Sequence, residues 1–363
     1  MKIIACIDLD YFYAQCEEVL NPSIKGKPVV VCMYSGRSEE SGAVATANYV
    51  ARKYGVKSGM PIKAAKKLLK DIEAYFIPAN LELYDSISTR VMDIARKYAD
   101  AFEQVSVDEA YIDITKISNN DYFSAIDLMK KMKEEIYEKE KLTCSVGIGP
   151  TKVIAKIATE LKKPNGLECI RPEEIPTKVW PLPVDSLLGV GPKSKIKLES
   201  IGVKTIGDLL KVDFTKLVNL FGKKIATYFV LAAQGKETEP IRENYQVKQF
   251  SRMITLKSNT LALSEIRPYL EELAKDLSSI LKDYKVYAKG ISVMAVLDDL
   301  SIISKSKLVE KPINSYEEIF KIAEGLLVEL IKKSQRLFRR LALRAYEIVS
   351  YENIETLEKF IEN

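Results

Sequence analysis

The sequence predicts an α+β protein of several domains, and three observations carry that prediction. A chain of 363 residues exceeds what one compact core usually organises, so two to four domains are expected. Apolar runs of strand length interleave with stretches of helical spacing. The order strand, helix, strand, strand, helix, strand occurs twice, on either side of a region of short helices joined by glycines.

Composition narrows the chemistry before any motif is considered. There is no histidine, which excludes Ser-His-Asp and Cys-His catalysis and any His-ligated metal. Five cysteines, at 6, 16, 32, 144 and 169, show no C-x-x-C spacing and are expected to be small buried hydrophobes. The balance of 55 basic against 50 acidic residues leaves a net charge of +5, so nucleic-acid binding has to be argued from where the charges lie. No apolar run reaches the roughly 18 residues of a membrane span. The start, Met1-Lys2 and five apolar residues before Asp8, is too short for a signal peptide, and a cytoplasmic protein is expected.

Ile3-Ile4-Ala5-Cys6-Ile7 is a continuous apolar run, expected as a buried central strand that delivers Asp8 at its carboxyl end. Asp10 follows and either caps the helix opening at Tyr11 or belongs to a site. Between Pro28 and Pro78 lies an insertion with a strand at Val29 to Met33 and the small-residue run Gly42-Ala43-Val44-Ala45-Thr46-Ala47. So many small side chains let a flat ligand approach closely. Tyr49 and Arg52, spaced i, i+3, would share a helix face; they suit a phosphate, or pack as an Arg along a Tyr ring.

From Leu81, Tyr84, Ile87, Val91, Ile94 and Tyr98 mark an amphipathic helix. Val105-Ser106-Val107-Asp108-Glu109-Ala110-Tyr111-Ile112-Asp113 then reads as two alternating runs meeting at a hairpin tip, Asp108-Glu109, where Glu109 is a poor turn residue. A helix around Phe123 to Ile136 and a strand from Leu142 to Ile148 complete a ferredoxin-like split βαβ order. In that fold the first strand lies beside the hairpin, so Asp8 should converge with Asp108 and Glu109. Three such carboxylates suit hard divalent cations, with Mg²⁺ held partly by protein and partly by substrate phosphates.

Thr151 is expected to cap a helix over Lys152 to Leu161, which Pro164 follows, leaving lysines at its end for the helix dipole or for phosphate. Leu188-Gly189-Val190-Gly191-Pro192-Lys193 offers free backbone N–H groups at a helix start, with Leu220-Phe221-Gly222-Lys223-Lys224 a weaker echo. Residues 235–244 form a polar linker. Beyond it, strands are expected near Gln249 to Leu256, Ile291 to Leu297, Ile302 to Val309 and Leu341 to Ile348, with helices to about Tyr284 and over Tyr316 to Ile331. Period-2 counting places Lys305 with Lys307, and Arg340 with Arg344, on strand faces that would meet a nucleic-acid backbone.

Four stretches resemble the Y-family translesion DNA polymerases, specifically the archaeal DinB-like branch of DNA polymerase IV type. They are Ile7-Asp8-Leu9-Asp10-Tyr11-Phe12-Tyr13-Ala14-Gln15, Ser41-Gly42-Ala43-Val44-Ala45-Thr46-Ala47-Asn48-Tyr49, Ser106-Val107-Asp108-Glu109-Ala110-Tyr111 and Lys163-Pro164-Asn165-Gly166. The resemblance implies a palm (1–10 and 80–167), inserted fingers (11–79), a helix-hairpin-helix thumb (168–234), a linker (235–244), a split-βαβ-like little finger (245–347) and a tail (348–363).

It further implies template-directed addition of deoxynucleotides to a primer 3′-OH by a monomer, with two Mg²⁺ ions per site and Mn²⁺ as a substitute. Asp8, Asp108, Glu109 and the Leu9 carbonyl resemble the metal ligands. Tyr13 resembles the steric gate against a ribose 2′-OH. Tyr11, Phe12, Thr46, Tyr49, Arg52 and Lys163 resemble contacts to the incoming dNTP, and Ala43 and Ala45 the small roof over the nascent base pair. Gly189, Gly191, Lys193, Lys305, Lys307, Arg340 and Arg344 would then contact primer-template DNA. Leu357, Phe360 and Ile361 resemble a sliding-clamp box, without its glutamine. Two further departures are Leu9, where an aromatic is frequent, and the linker acids Glu237, Glu239 and Glu243.

Overall fold

The computed structural model describes residues 2–236, 239–243 and 247–350. Their contacts divide into two compact units, one from residues 1–33 and 43–244, the other from 34–42 and 245–363. Among the described residues no helix is long and apolar enough to cross a membrane.

The first unit opens with β1 (Ile4–Leu9) and α1 (Phe12–Leu20). The insertion follows as β2 (Val29–Tyr34), β3 (Gly42–Ala47), α2 (Tyr49–Lys53), α3 (Ile62–Leu68) and β4 (Tyr75–Pro78). The main sheet resumes with α4 (Leu81–Arg96), β5 (Ala101–Gln104), β6 (Glu109–Asp113), α5 (Tyr122–Glu140), β7 (Cys144–Gly149), α6 (Lys152–Leu161) and β8 (Leu167–Cys169). Its strand order is β5-β6-β1-β7-β8, the expected ferredoxin-like arrangement with β8 added in parallel at the β7 edge. The insertion builds its own small sheet, β3-β2-β4.

Alternation along β1 explains why the run is apolar throughout. Ile3, Ala5, Ile7 and Leu9 enter the large core with residues of α1, α4 and α5, while Ile4 and Cys6 face the other way onto Tyr111 and Ala155. A strand buried on both faces has no room for polar side chains until its end. On β7, Cys144, Val146 and Ile148 join the large core. Ser145, Gly147 and Gly149 face α6 instead, and a Cβ on Gly147 would stand 2.1 Å from the Ala155 carbonyl oxygen. Glycine there lets α6 lie directly on the strand. The cysteines behave as expected: four are buried, Cys169 is half-buried, and none is in a disulfide.

Two local expectations change. The first strand of the acidic hairpin ends at Gln104, and Val105 is 48 % exposed, because Val105 N and Ser106 N both turn to the Glu109 carbonyl and close the loop early. Asp108 therefore lies in the loop and Glu109 is the first residue of β6. The linker is also not simply solvated: Ile241 packs on Ile4, Cys6, Tyr111 and Ala155, and the Arg242 N–H donates to Glu103 Oε2 at 2.7 Å.

After β8 come the short α7 (Ile175–Lys178), α8 (Pro192–Glu199), α9 (Phe214–Phe221) and α10 (Lys223–Ala233) around a core that they share with Val153, Ile154, Ile157 and Ala158 of α6. In the second unit, β9 (Gln249–Thr260), α11 (Leu263–Asp283), β10 (Val286–Leu297), β11 (Ile302–Ile313), α12 (Tyr316–Lys333) and β12 (Phe338–Ser350) repeat the expected element order. The strands run β11-β10-β12-β9, so here the first strand is an edge strand. The last strand continues past residue 347, since Ser350 still pairs with Val286. Arg37 belongs to this unit and donates from Nε to the Leu256 carbonyl at 2.5 Å.

Candidate active site

The antiparallel register of β1 and β6 places Asp8 directly opposite Glu109. Asp8 lies on the same face as Ile4 and Cys6, so its carboxylate faces α6. Helical spacing puts Lys152, Lys156 and Glu160 on one stripe of α6, and that stripe meets the acids of the sheet. Lys152 pairs with Glu103 at 2.5 Å. Lys156 reaches Asp8 Oδ2 at 2.7 Å, Glu109 Oε2 at 2.6 Å and Glu160 at 3.2 Å. Burial alone would lower the Lys156 ammonium, but Asp8 and its neighbours outweigh it and hold the group above the ordinary lysine value. Asp108 is turned aside, its Oδ1 accepting from Ser106 Oγ at 2.6 Å, while its carbonyl accepts the Leu9 N–H at 2.8 Å.

A cavity of about 430 Å³ opens over this acidic end of the sheet, lined by Asp8, Leu9, Tyr11, Phe12, Tyr13, Ala45, Thr46, Tyr49, Arg52, Asp108 and Lys163, with Asp10, Ser58, Val107, Lys156 and Glu160 among them. Eleven residues singled out from the sequence thus share one cavity; Glu109 and Ala43 are not on its lining. Tyr13 is stacked on Tyr84, ring centroids 4.4 Å apart, and the buried Tyr84 donates its hydroxyl to Glu17 at 2.5 Å. The Arg52 guanidinium lies 4.9 Å from the Tyr49 ring centre and donates from Nε to the Ala47 carbonyl at 2.8 Å. The two readings of that pair therefore coexist, ring stacking holding the fork beside the cavity. Asn48 caps α2 through Ala51 N and donates to buried Glu18 at 2.6 Å, tying α2 to α1. Lys163 reaches Asp8 Oδ2 at 2.8 Å, and it too is held above the ordinary lysine value, Asp8 overriding the effect of burial. Asp10 does not cap α1: the N-cap is Tyr11, with no side-chain cap bond.

Residues 7–160 match the model of the impB/mucB/samB family, residues 247–356 that of its C-terminal domain, and residues 185–237 that of the DNA polymerase-iota thumb domain. The DNA polymerase IV of Methanosarcina acetivorans is 41 % identical over 94 % of this chain and 95 % of that protein. The DNA polymerase IV of Saccharolobus solfataricus is 42 % identical over 94 % and 95 %. Among solved structures, a Y-family DNA polymerase chimera of Dbh and Dpo4 superposes with a TM-score of 0.90 at 40 % identity, covering 96 % of this chain and 99 % of that one. An insertion ternary complex of Dbh DNA polymerase gives 0.69 at 39 % identity over the same shares.

The chain belongs to the Y family of DNA polymerases. It is a template-directed DNA polymerase of the translesion type, and DNA and deoxynucleotides are its partners. Y-family polymerases are generally dependent on divalent metal. The donor chemistry here fits such an ion, since Asp8, Asp108, Glu109 and the Leu9 carbonyl offer hard oxygens only. Yet among the described residues no three acids are gathered into a ready metal cage: Lys156 bridges two of them and Ser106 holds the third. Mg²⁺ keeps several waters and takes substrate phosphates as ligands, so it does not require a dedicated cage.

Sequence reasoning passed over Lys156 and read Tyr84 only as an apolar position of its helix. The signals were present: the Lys152, Lys156, Glu160 stripe opposite a strand of acids, and an aromatic at the start of the helix facing Tyr13. In the thumb region, Gly189 has φ of 89° and Gly191 is the N-cap of α8, with Lys193 exposed beside it. The basic little-finger residues do not form one face. Arg340 and Arg344 pair across the sheet with Val296 and Ser292, on the face away from α11 and α12. Lys305 and Lys307 pair with Val293 and Ile291, which point into the helix-covered core, and Lys305 is engaged by Glu329 of α12 at 2.9 Å. The edge position of β11 lets long side chains leave that face, which period-2 counting on a single strand does not reveal. Arg340 and Arg344 are half-buried there, the Arg344 guanidinium 5.4 Å from the Tyr346 ring centre. Leu357, Phe360 and Ile361 lie outside the described residues.

Proposed function

We propose that Asp8, Asp108 and Glu109, with the Leu9 carbonyl, hold two Mg²⁺ ions beside the primer terminus and the nucleotide. When bound, the ions would lower the pKa of the primer 3′-OH and carry the charge of the triphosphate and of the leaving pyrophosphate. The chain's own residues do the rest. Lys163, Arg52 and Tyr49 bind the triphosphate, Arg52 by its fork and Lys163 as a point charge. Tyr11, Phe12 and Thr46 border the same phosphates and sugar. Tyr13, backed by Tyr84, closes the space that a 2′-OH would need. Ala43 and Ala45 form a roof too small to test the shape of the nascent pair, so damaged template bases are accommodated. Gly189, Gly191 and Lys193 grip one stretch of DNA backbone and Arg340 and Arg344 another; Lys305 and Lys307 are peripheral contacts. The fingers and thumb are assigned at 11–79 and 168–234 and the little finger from 245 to the end of β12 at Ser350, the tail beyond it offers its apolar box to a sliding clamp, and the enzyme acts as a monomer.

The observation that carries this reading is the single cavity shared by Asp8, Asp108, Tyr13, Tyr49, Arg52 and Lys163. Primer extension with Mg²⁺ tests it. Asp108→Ala and Glu109→Ala are expected to lose extension by at least about a thousandfold while still binding primer-template; extension at the wild-type rate would remove these acids from the reaction. Tyr13→Ala is expected to incorporate ribonucleotides, and unchanged sugar discrimination would remove the gate.

A further inference from the structure

Asp10, the second acid of Asp8-Leu9-Asp10, is 1 % exposed. Its carboxylate accepts from Thr143 Oγ1 at 2.8 Å, from Ser145 Oγ at 2.7 Å and from the backbone N–H of Asn165 at 2.8 Å. Two of these donors stand at the start of β7, and the third lies in the loop between α6 and β8. Lys133 of α5 grips the same loop, donating to Asn165 Oδ1 at 3.0 Å and the Gly166 carbonyl at 2.9 Å, and also to the Cys144 carbonyl. Lys133 is half-buried, and burial holds its ammonium below the ordinary lysine value.

The loop has little freedom to take another course. Asn165 is left-handed, with φ of 53°, and a Cβ on Gly166 would meet the Lys162 carbonyl at 2.1 Å. Lys163 sits two residues before the N–H that Asp10 holds, and its ammonium reaches the cavity at Asp8. A carboxylate accepts at both oxygens and so can take all three donors at once; an amide in its place would turn an N–H₂ group toward at least one of them.

We infer that Asp10 is a positioning residue for Lys163: by anchoring the Asn165 N–H to β7 it sets the direction in which the loop presents the Lys163 ammonium to the triphosphate. This rests on the assignment of Lys163 to the nucleotide. It divides the two acids of the motif, Asp8 facing the metal and substrate and Asp10 facing the scaffold behind them.

A double-mutant cycle on the full chain tests it, reading KM for dNTP and kcat in primer extension. Asp10→Asn is expected to raise KM by about tenfold with kcat within about threefold of wild type, and Lys163→Ala to raise KM at least as much. In the Lys163→Ala background, Asp10→Asn should add less than about twofold. Should it add its full factor there, or leave KM unchanged in the wild-type background, Asp10 does not act through Lys163 and the inference falls. Should Lys163→Ala itself leave KM unchanged, the nucleotide assignment falls and the inference with it, a distinct outcome. Thr143→Val, which removes one donor and keeps the buried volume, goes through the same cycle in case Asp10→Asn does not fold: a KM rise that vanishes without Lys163 supports the inference, and an equal rise or none overturns it.

Discussion

Lys156 shows how much one side chain settles in this site. Asp8 and Glu109 are forced together by strand register, and two carboxylates at that spacing repel unless a cation lies between them. In the folded chain the Lys156 ammonium supplies that charge. Lys156→Met should therefore lower stability in EDTA by about 3 kcal/mol, since it strands a nearly buried pair of acids, and added Mg²⁺ should recover more stability in the variant than in wild type. Urea denaturation with and without Mg²⁺ reads both quantities; equal stability in EDTA would show that the pair does not need its lysine. Tyr84 makes a similar point about the proposed gate. Tyr13 is held by a stacked ring, not by its own rotamer alone, so Tyr84→Leu, which keeps the Tyr13 side chain but removes its support, should weaken ribonucleotide exclusion by about tenfold. Single-nucleotide incorporation with paired dNTP and rNTP measures this, and unchanged discrimination would show that the stack is not needed.

At the scale of elements, the site depends on how closely α6 approaches β7. Gly147 faces the helix backbone, and neither the Ala155 carbonyl nor Thr159 N can yield to a methyl group as a flexible side chain would. Gly147→Ala is expected to cost about 3 kcal/mol by overpacking and to shift Lys156 away from Asp8; chemical denaturation gives the first and Mg²⁺ dependence of extension the second. A second joint lies between α4 and α5, where Glu135 accepts from Tyr98 at 2.7 Å and Lys139 at 2.6 Å. Chiefly through the Lys139 hydrogen bond, its carboxyl is held down at about 2 against an ordinary 4.5. The folded chain thus binds this proton more weakly than the unfolded chain. The contribution is complete above pH 4.5 and disappears as pH falls toward 2. Glu135→Gln should flatten the acid limb of stability in that window and leave it unchanged in slope near neutrality. An acid limb identical to wild type would refute the assignment.

For the whole molecule, the modest net charge of +5 means that affinity for DNA comes from placement. Arg340 and Arg344 lie half-buried on the sheet face away from α11 and α12, whereas Lys305 already pairs with Glu329. Replacing either arginine by alanine should weaken primer-template binding and reduce the dependence of log K on log salt by about 0.9 for each phosphate no longer neutralised. Lys305→Ala should change the slope by less than half that amount. Titrations across a salt series distinguish the two, and equal slopes for all variants would mean that face is not a determinant of binding.

Much of this protein was legible in the sequence. The alternation of β1, the absence of histidine and the strand order of the first unit led from adjacent acids to a metal-dependent reaction at phosphorus, because burial and hydrogen bonding impose periods of 2 and 3.6 on any chain that folds this way. Motif resemblance then named the family and the residues proposed to face the dNTP, and one cavity is lined by most of them. What only the tertiary structure decided concerns partners distant in sequence. Lys156 is 148 residues from Asp8, Tyr84 reaches Tyr13 across the insertion, and Asp10, which the sequence left between a helix cap and a site, bonds to Thr143 and Ser145 and to the loop after α6. The second sheet taught the same lesson, since the faces of Lys305 and Arg340 follow from which strand lies beside which. Periodicity reports which way a side chain leaves its own strand or helix, while the identity of whatever stands opposite is set by packing between elements, and it is there that a charge becomes a ligand, a counter-ion or an anchor.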